Sequence, residues 1–122
     1  MADEATVSVL MDYRKGATNF TARINDKSIT VAGTQHLHHR QNIGITEEII
    51  SLHEDGSTEG LFFCINRDGT NFISIRAATG ESDIIRVNAG EFALFRIHAD
   101  ATAPYAIADT AACDLEYWLL EA

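Results

Sequence analysis

The sequence predicts an all-β protein, an antiparallel β-sandwich of jelly-roll-like type built from about 9–10 short strands. Three observations carry that expectation. Apolar and polar residues alternate with a period of two along most of the chain, the signature of strands that bury one face. Turn clusters rich in Gly, Asn and Asp recur at intervals of roughly ten residues. No stretch carries the periodicity of a long helix.

The first strand sets Val7, Val9, Met11 and Tyr13 on an inward face, while Thr6, Ser8, Asp12 and Arg14 share the other face with Leu10. Lys15-Gly16 supplies a turn. Phe20, Ala22 and Ile24 then repeat the alternation, with Thr21 and Arg23 outward. Asn25-Asp26-Lys27 reads as a second turn, leading into a third strand from Ser28 to Ala32. Gly33 interrupts the pattern, and the polar run His36 to Gln41 fits an edge strand. Thr46-Glu47-Glu48 followed by Ile49, Ile50 and Leu52 fits either a helical turn or a strand. The β-branched residues and the turn cluster from His53 to Gly60 favour the strand.

Leu61 to Ile65 is a continuous apolar run, as expected of a strand covered on both faces. Asn66-Arg67-Asp68-Gly69 has the chemistry of a hairpin turn with Gly69 at positive φ, which makes Asn71 to Arg76 the partner strand. Gly80-Glu81-Ser82 turns into Ile84 to Val87, and Asn88-Ala89-Gly90-Glu91 turns into Phe92 to His98. The lone proline, Pro104, opens the last strands, Tyr105 to Ala108 and Cys113 to Leu120.

At 122 residues the chain suits one domain, residues 1–122, with the small acidic start 1–5 expected as a flexible N-terminal arm. Nine basic against eighteen acidic residues give a net charge of −9. Phosphate neutralisation supplies most nucleic-acid affinity, so this balance opposes nucleic acid as a partner, and likewise an anionic membrane. No apolar run is long enough for a membrane span, and the first residues carry no basic and apolar leader. The start reads as that of a chain made in the cytoplasm. Cys64 and Cys113 stand in apolar segments and are expected as buried free thiols rather than a disulfide.

Chemistry-bearing clusters are few. His36 and His38 fall on one side of a strand, a spacing that can chelate a metal, with His53 or Glu54 as the third ligand; His39 lies beside them. A histidine pair without a defined third ligand is more simply a surface feature, so no metal and no cofactor is assigned. Asp68, Asp83, Glu91 and Asp109 fall in or beside turns, where carboxylates cap backbone donors. There is no Gly-x-Ser-x-Gly elbow, no Gly-x-Gly-x-x-Gly and no phosphate loop. No catalytic residue is assigned, and the chain is expected not to be an enzyme.

The last strand is more telling. Leu115, Tyr117 and Leu119 form one face; Asp114, Glu116, Trp118 and Leu120 form the other, and either suits the core. If the carboxylates face solvent, Trp118 and Leu120 emerge beside them as a candidate subunit interface, since aromatic residues anchor interfaces. The alternative is a bent strand whose Trp118 plugs the end of the sandwich.

The segments Asn66 to Ile73, Val87 to Arg96, Tyr105 to Ala108 and Leu115 to Glu121, in this order and spacing, resemble small structural virion proteins of tailed bacteriophages. Gly33 to Gln41 and Ile43 to Glu48 extend the resemblance over nearly the whole chain. It implies a non-enzymatic capsid decoration (cement) protein on the virion surface, with the major capsid protein and copies of itself as partners. A tail, baseplate or head-fibre component is the nearest alternative. From another class, a carbohydrate-binding module would present Trp118, Tyr105 or Tyr13 to sugars, and a metal enzyme in a cupin-like barrel would use His36 and His38.

Overall fold

The computed structural model describes residues 4–31, 33, 36–52, 60–98 and 103–121. Ten strands and no helix occur among them: β1 (Ala5–Lys15), β2 (Thr18–Ile29), β3 (His36–Ile43), β4 (Glu48–Ile49), β5 (Gly60–Asn66), β6 (Ile73–Arg76), β7 (Asp83–Val87), β8 (Phe92–Ile97), β9 (Tyr105–Ala108) and β10 (Cys113–Glu121). The chain divides into two compact units, residues 1–32 and 33–122.

The second unit is an antiparallel sandwich. One sheet has the order β3-β10-β5-β8, the other β4-β9-β6-β7. The chain pairs its ends first: β3 with β10, β4 with β9, β5 with β8, β6 with β7, alternating between sheets. A long ribbon rolled in this way is a jelly roll, and eight strands complete it. Period-two burial follows: every second residue is buried on β5, and on β10 from Cys113 to Leu119. Phe62, Tyr117, Leu115, Leu119, Ile73 and Ile75 fill the centre, with the Phe62 and Tyr117 rings edge to face at 5.6 Å. The inner face of β9 carries only Ala106 and Ala108, small residues beside these large ones.

The first unit is the β1–β2 ribbon. Gly16, at φ 60, takes the first position of its two-residue turn. The turn expected at Asn25-Asp26-Lys27 is instead a bulge inside β2, where the register shifts opposite Val7 to Val9. Asp26 takes φ 49 there, and its backbone N–H donates to Ser8 Oγ at 2.9 Å. A bulge absorbs the extra residues without ending the pairing, so the second and third predicted strands are one. Of the arm expected over 1–5, residues 1–3 lie outside the described residues; Glu4 Oε1 accepts the Val31 N–H at 3.0 Å, and Ala5 opens β1.

The hairpin expected at Asn66-Arg67-Asp68-Gly69 also does not form. β5 pairs with β10 and β8, and β6 with β7 and β9, so residues 67–72 carry the chain from one sheet to the other. Asn66 anchors this crossing. Fully buried, it donates Nδ2 to the carbonyls of Asn71 at 2.9 Å and Val87 at 3.0 Å, and accepts the Asp68 N–H on Oδ1 at 2.9 Å. Asp68 Oδ2 then accepts the Thr70 and Asn71 N–H groups, which holds its carboxyl below the usual range. Gly69 is not among the glycines at positive φ.

Cys64 and Cys113 are buried free thiols, and burial pushes the Cys64 pKa up to about 12. Asn66→Ala removes the side-chain donor to the Asn71 and Val87 carbonyls and the acceptor of the Asp68 N–H, so it is expected to cost about 2–4 kcal/mol. Urea unfolding followed by circular dichroism measures this; Asn42→Ala, on an exposed position, is expected to cost under about 1 kcal/mol.

Candidate functional site: the outer face of the β3-β10-β5-β8 sheet

Register decides which face of β10 is inside. Leu115, Tyr117 and Leu119 are fully buried, whereas Asp114, Glu116, Trp118 and Leu120 are partly exposed on the opposite face. Trp118 therefore emerges beside the carboxylates and does not plug the sandwich. Its direct partners are His38 on β3 and Phe63 on β5.

The three rings stand in a row across three strands. His38 lies 4.6 Å from Trp118 and 6° from parallel; Phe63 lies on the strand at the other side, 5.4 Å from Trp118 and tilted by 32°. Phe92 on β8 extends the row at 6.0 Å from Phe63. Leu61 pairs with Leu120, Phe63 with Leu94, and Ile65 with Phe92. The result is an apolar face of seven side chains turned away from the core, with Phe92 62% exposed. Leu61 to Ile65 is thus apolar on both sides as expected, but the sandwich covers only the Phe62 and Cys64 side.

A charged cluster borders this face. Glu116 Oε1 accepts from Arg67 Nε, and Oε2 from His38 Nε2, each at 2.7 Å. Both bonds favour the ionised carboxylate, so the His38 hydrogen bond first, and then Arg67, hold its pKa below the ordinary 4.5. Next to it Asp114 takes Arg40 at 3.3 Å and Asn42 at 3.0 Å. His38 is thereby held by a stack on Trp118 and a hydrogen bond to Glu116.

His36 shares the outward side of β3 with His38, as its spacing predicts, while the proposed third ligands His53 and Glu54 lie outside the described residues. Among the described residues no group of three or more His, Cys, Asp or Glu is placed to hold a metal ion. His39 lies against the Tyr117 ring at 5.8 Å. Asp83 belongs to a different cluster: Arg76 bridges it to Glu47, and the Glu47 carboxylate also binds the Thr79 hydroxyl and the Gly80 N–H. These bonds lower the Glu47 pKa and tie the β6–β7 turn to the segment before β4.

Sequence reasoning singled out Trp118 and Leu120 but missed Phe63, Phe92 and Leu94. Their signal was the apolar residues on the solvent side of the alternation in Leu61 to Ile65 and Phe92 to Arg96.

No protein-family model matches the chain. A search of curated proteins likewise finds no match. A solved structure from work on Bacillus, "Bacillus endospore appendages form a novel family of disulfide-linked pili", is similar over 100% of this chain and 96% of that one, at 11% identity and a TM-score of 0.39. A likeness at that level transfers no property. Among the described residues no helix is long and apolar enough to cross a membrane.

A carboxylate whose pKa is lowered in the fold stabilises it above its unfolded pKa and loses that contribution as pH falls through the folded value. Stability is therefore expected to drop on acidification below the ordinary value of 4.5. Glu116→Gln should flatten that part of the profile, read from urea midpoints across the acid range.

Proposed function

We propose that this chain is a non-enzymatic structural protein that assembles through the outer face of its β3-β10-β5-β8 sheet, and that it serves as a capsid decoration (cement) protein of a tailed bacteriophage. The observation that carries the assembly reading is the apolar face itself. Leu61, Phe63, Ile65, Phe92, Leu94, Trp118 and Leu120 lie together on one side of a sheet whose other side already forms the core. Soluble monomers rarely leave such a patch open, and aromatic anchors within a charged rim are the usual composition of a subunit contact. The order of motifs resembling small virion proteins supports the finer reading. In it, each bound copy stabilises the assembled head by its binding free energy, with avidity from repeated contacts.

The row of rings also motivates a sugar-binding platform, the reading from another class. Stacking on a sugar needs an open ring face. His38 lies nearly parallel to Trp118 on one side and Phe63 flanks it on the other, so Trp118 offers its edge. Tyr13 is likewise stacked on Phe20 at 5.0 Å. This geometry favours protein contact over sugar.

Two measurements test the proposal. Trp118→Ala and Phe92→Ser, both outside the core, are expected to weaken self-association by about tenfold or more in light scattering, with circular dichroism unchanged. Purified protein is expected to cosediment with undecorated capsids and raise their melting temperature. Absence from capsids with recovery in tails would move the protein to the tail, and capture on a glycan array would replace the assembly reading with the sugar one.

A further inference from the structure

The β1–β2 ribbon is a second unpartnered surface, and its pairing shows why. Val9 pairs with Ile24, Met11 with Ala22 and Tyr13 with Phe20, so one face of the ribbon consists of these six apolar residues. The opposite face takes Asp12, Arg14, Asn19, Thr21 and Arg23 around Leu10. The apolar face is open: Met11, Phe20 and Ile24 are 54%, 49% and 56% exposed. A two-stranded ribbon is at best marginally stable alone and needs a further layer on its apolar side.

We infer that the apolar face of the β1–β2 ribbon of one copy covers the outer face of the β3-β10-β5-β8 sheet of a second copy, Met11 and Phe20 seating against the Trp118–Phe63–Phe92 row. The inference rests on the reading of that sheet face as a subunit contact and names its other half.

Three properties of the two faces select this occupant. The first is charge. Residues 33–122 hold fourteen acidic and five basic residues, and so the whole net charge of −9, whereas residues 1–32 hold four of each. Sheet against sheet would press two strongly negative bodies together, whereas the ribbon, with four acidic and four basic residues, brings no net charge to the contact. The second is area. The half-exposed apolar side chains of the ribbon offer on the order of 500 Å², and with the area they cover the contact reaches about 1,000 Å², the lower bound of specific interfaces. The third is economy of surfaces. A ribbon-to-ribbon contact leaves the sheet face open, while ribbon on sheet closes both with one contact. Because the two faces differ, the contact is head to tail, and repeated it gives a ring or a filament.

Variants of the full chain with one added cysteine each test this. Met11→Cys marks the ribbon face and Leu94→Cys the sheet face; the native Cys64 and Cys113 are buried. With a short bismaleimide, a mixture of the two variants is expected to give a covalent dimer, and neither variant alone does. Crosslinking of Met11→Cys with itself, crosslinking within one chain of the double variant, or no crosslink in the mixture overturns the inference. Light scattering of Trp118→Ala and Phe92→Ser, run in parallel, separates the two levels. If these variants dissociate while the mixture fails to crosslink, the sheet face stands as a contact and the ribbon is not its partner. If neither variant changes the assembly, both readings fall.

Discussion

The pairing of β10 with β3 on one side and β5 on the other runs along nearly the whole strand, and the rest of the second unit depends on its register. Tyr117 fixes that register. Its ring is fully buried, and its hydroxyl donates to the Ser51 carbonyl at 2.6 Å, with Gln41 Oε1 a second acceptor at 3.0 Å. Burial pushes its pKa up to about 12, so it stays a neutral donor. A slip by one residue would move Tyr117 to solvent and bring Glu116 and Trp118 inside, leaving an ionised carboxylate without Arg67 and His38. One strand thus sets the core on one side and the candidate contact face on the other.

The two apolar faces of the molecule have different origins. The sheet face exists because β5 and β10 sit in the middle of their sheet, flanked by β3 and β8, so their outward residues gather into one patch. Gly60, at the start of β5, belongs to the same arrangement. It takes φ 154, and a Cβ there would come within 2.2 Å of the Leu120 carbonyl oxygen, so only glycine lets β5 approach β10 at this end. The ribbon face exists because its cross-strand pairs match apolar with apolar from Val9 to Tyr13.

Much of the fold was legible from alternation alone. The all-β class, the strands β5 to β10, the edge strand at His36 and the turns at Gly80 and Gly90 all follow from period two and turn chemistry. What failed did so for long-range reasons. Asn66-Arg67-Asp68-Gly69 has hairpin composition, yet the Asn66 side chain finds its acceptors on Asn71 and Val87, the latter 21 residues on, and local text does not encode that. Asn25-Asp26-Lys27 looks like a turn because a bulge uses the same residues. Trp118 was legible as a candidate from its place beside Asp114 and Glu116. Its ring partners were not, because His38 is 80 residues away and Phe63 is 55. Period two shows which residues share a face but not which strands share a sheet.

On the proposed reading, the apolar faces of this chain are closed by other copies of it. The most direct measurement is the molar mass of the full-length protein by light scattering over a dilution series. A mass above that of one chain, falling towards it on dilution, is the expected result. A single-chain mass at every concentration up to the solubility limit would contradict the account.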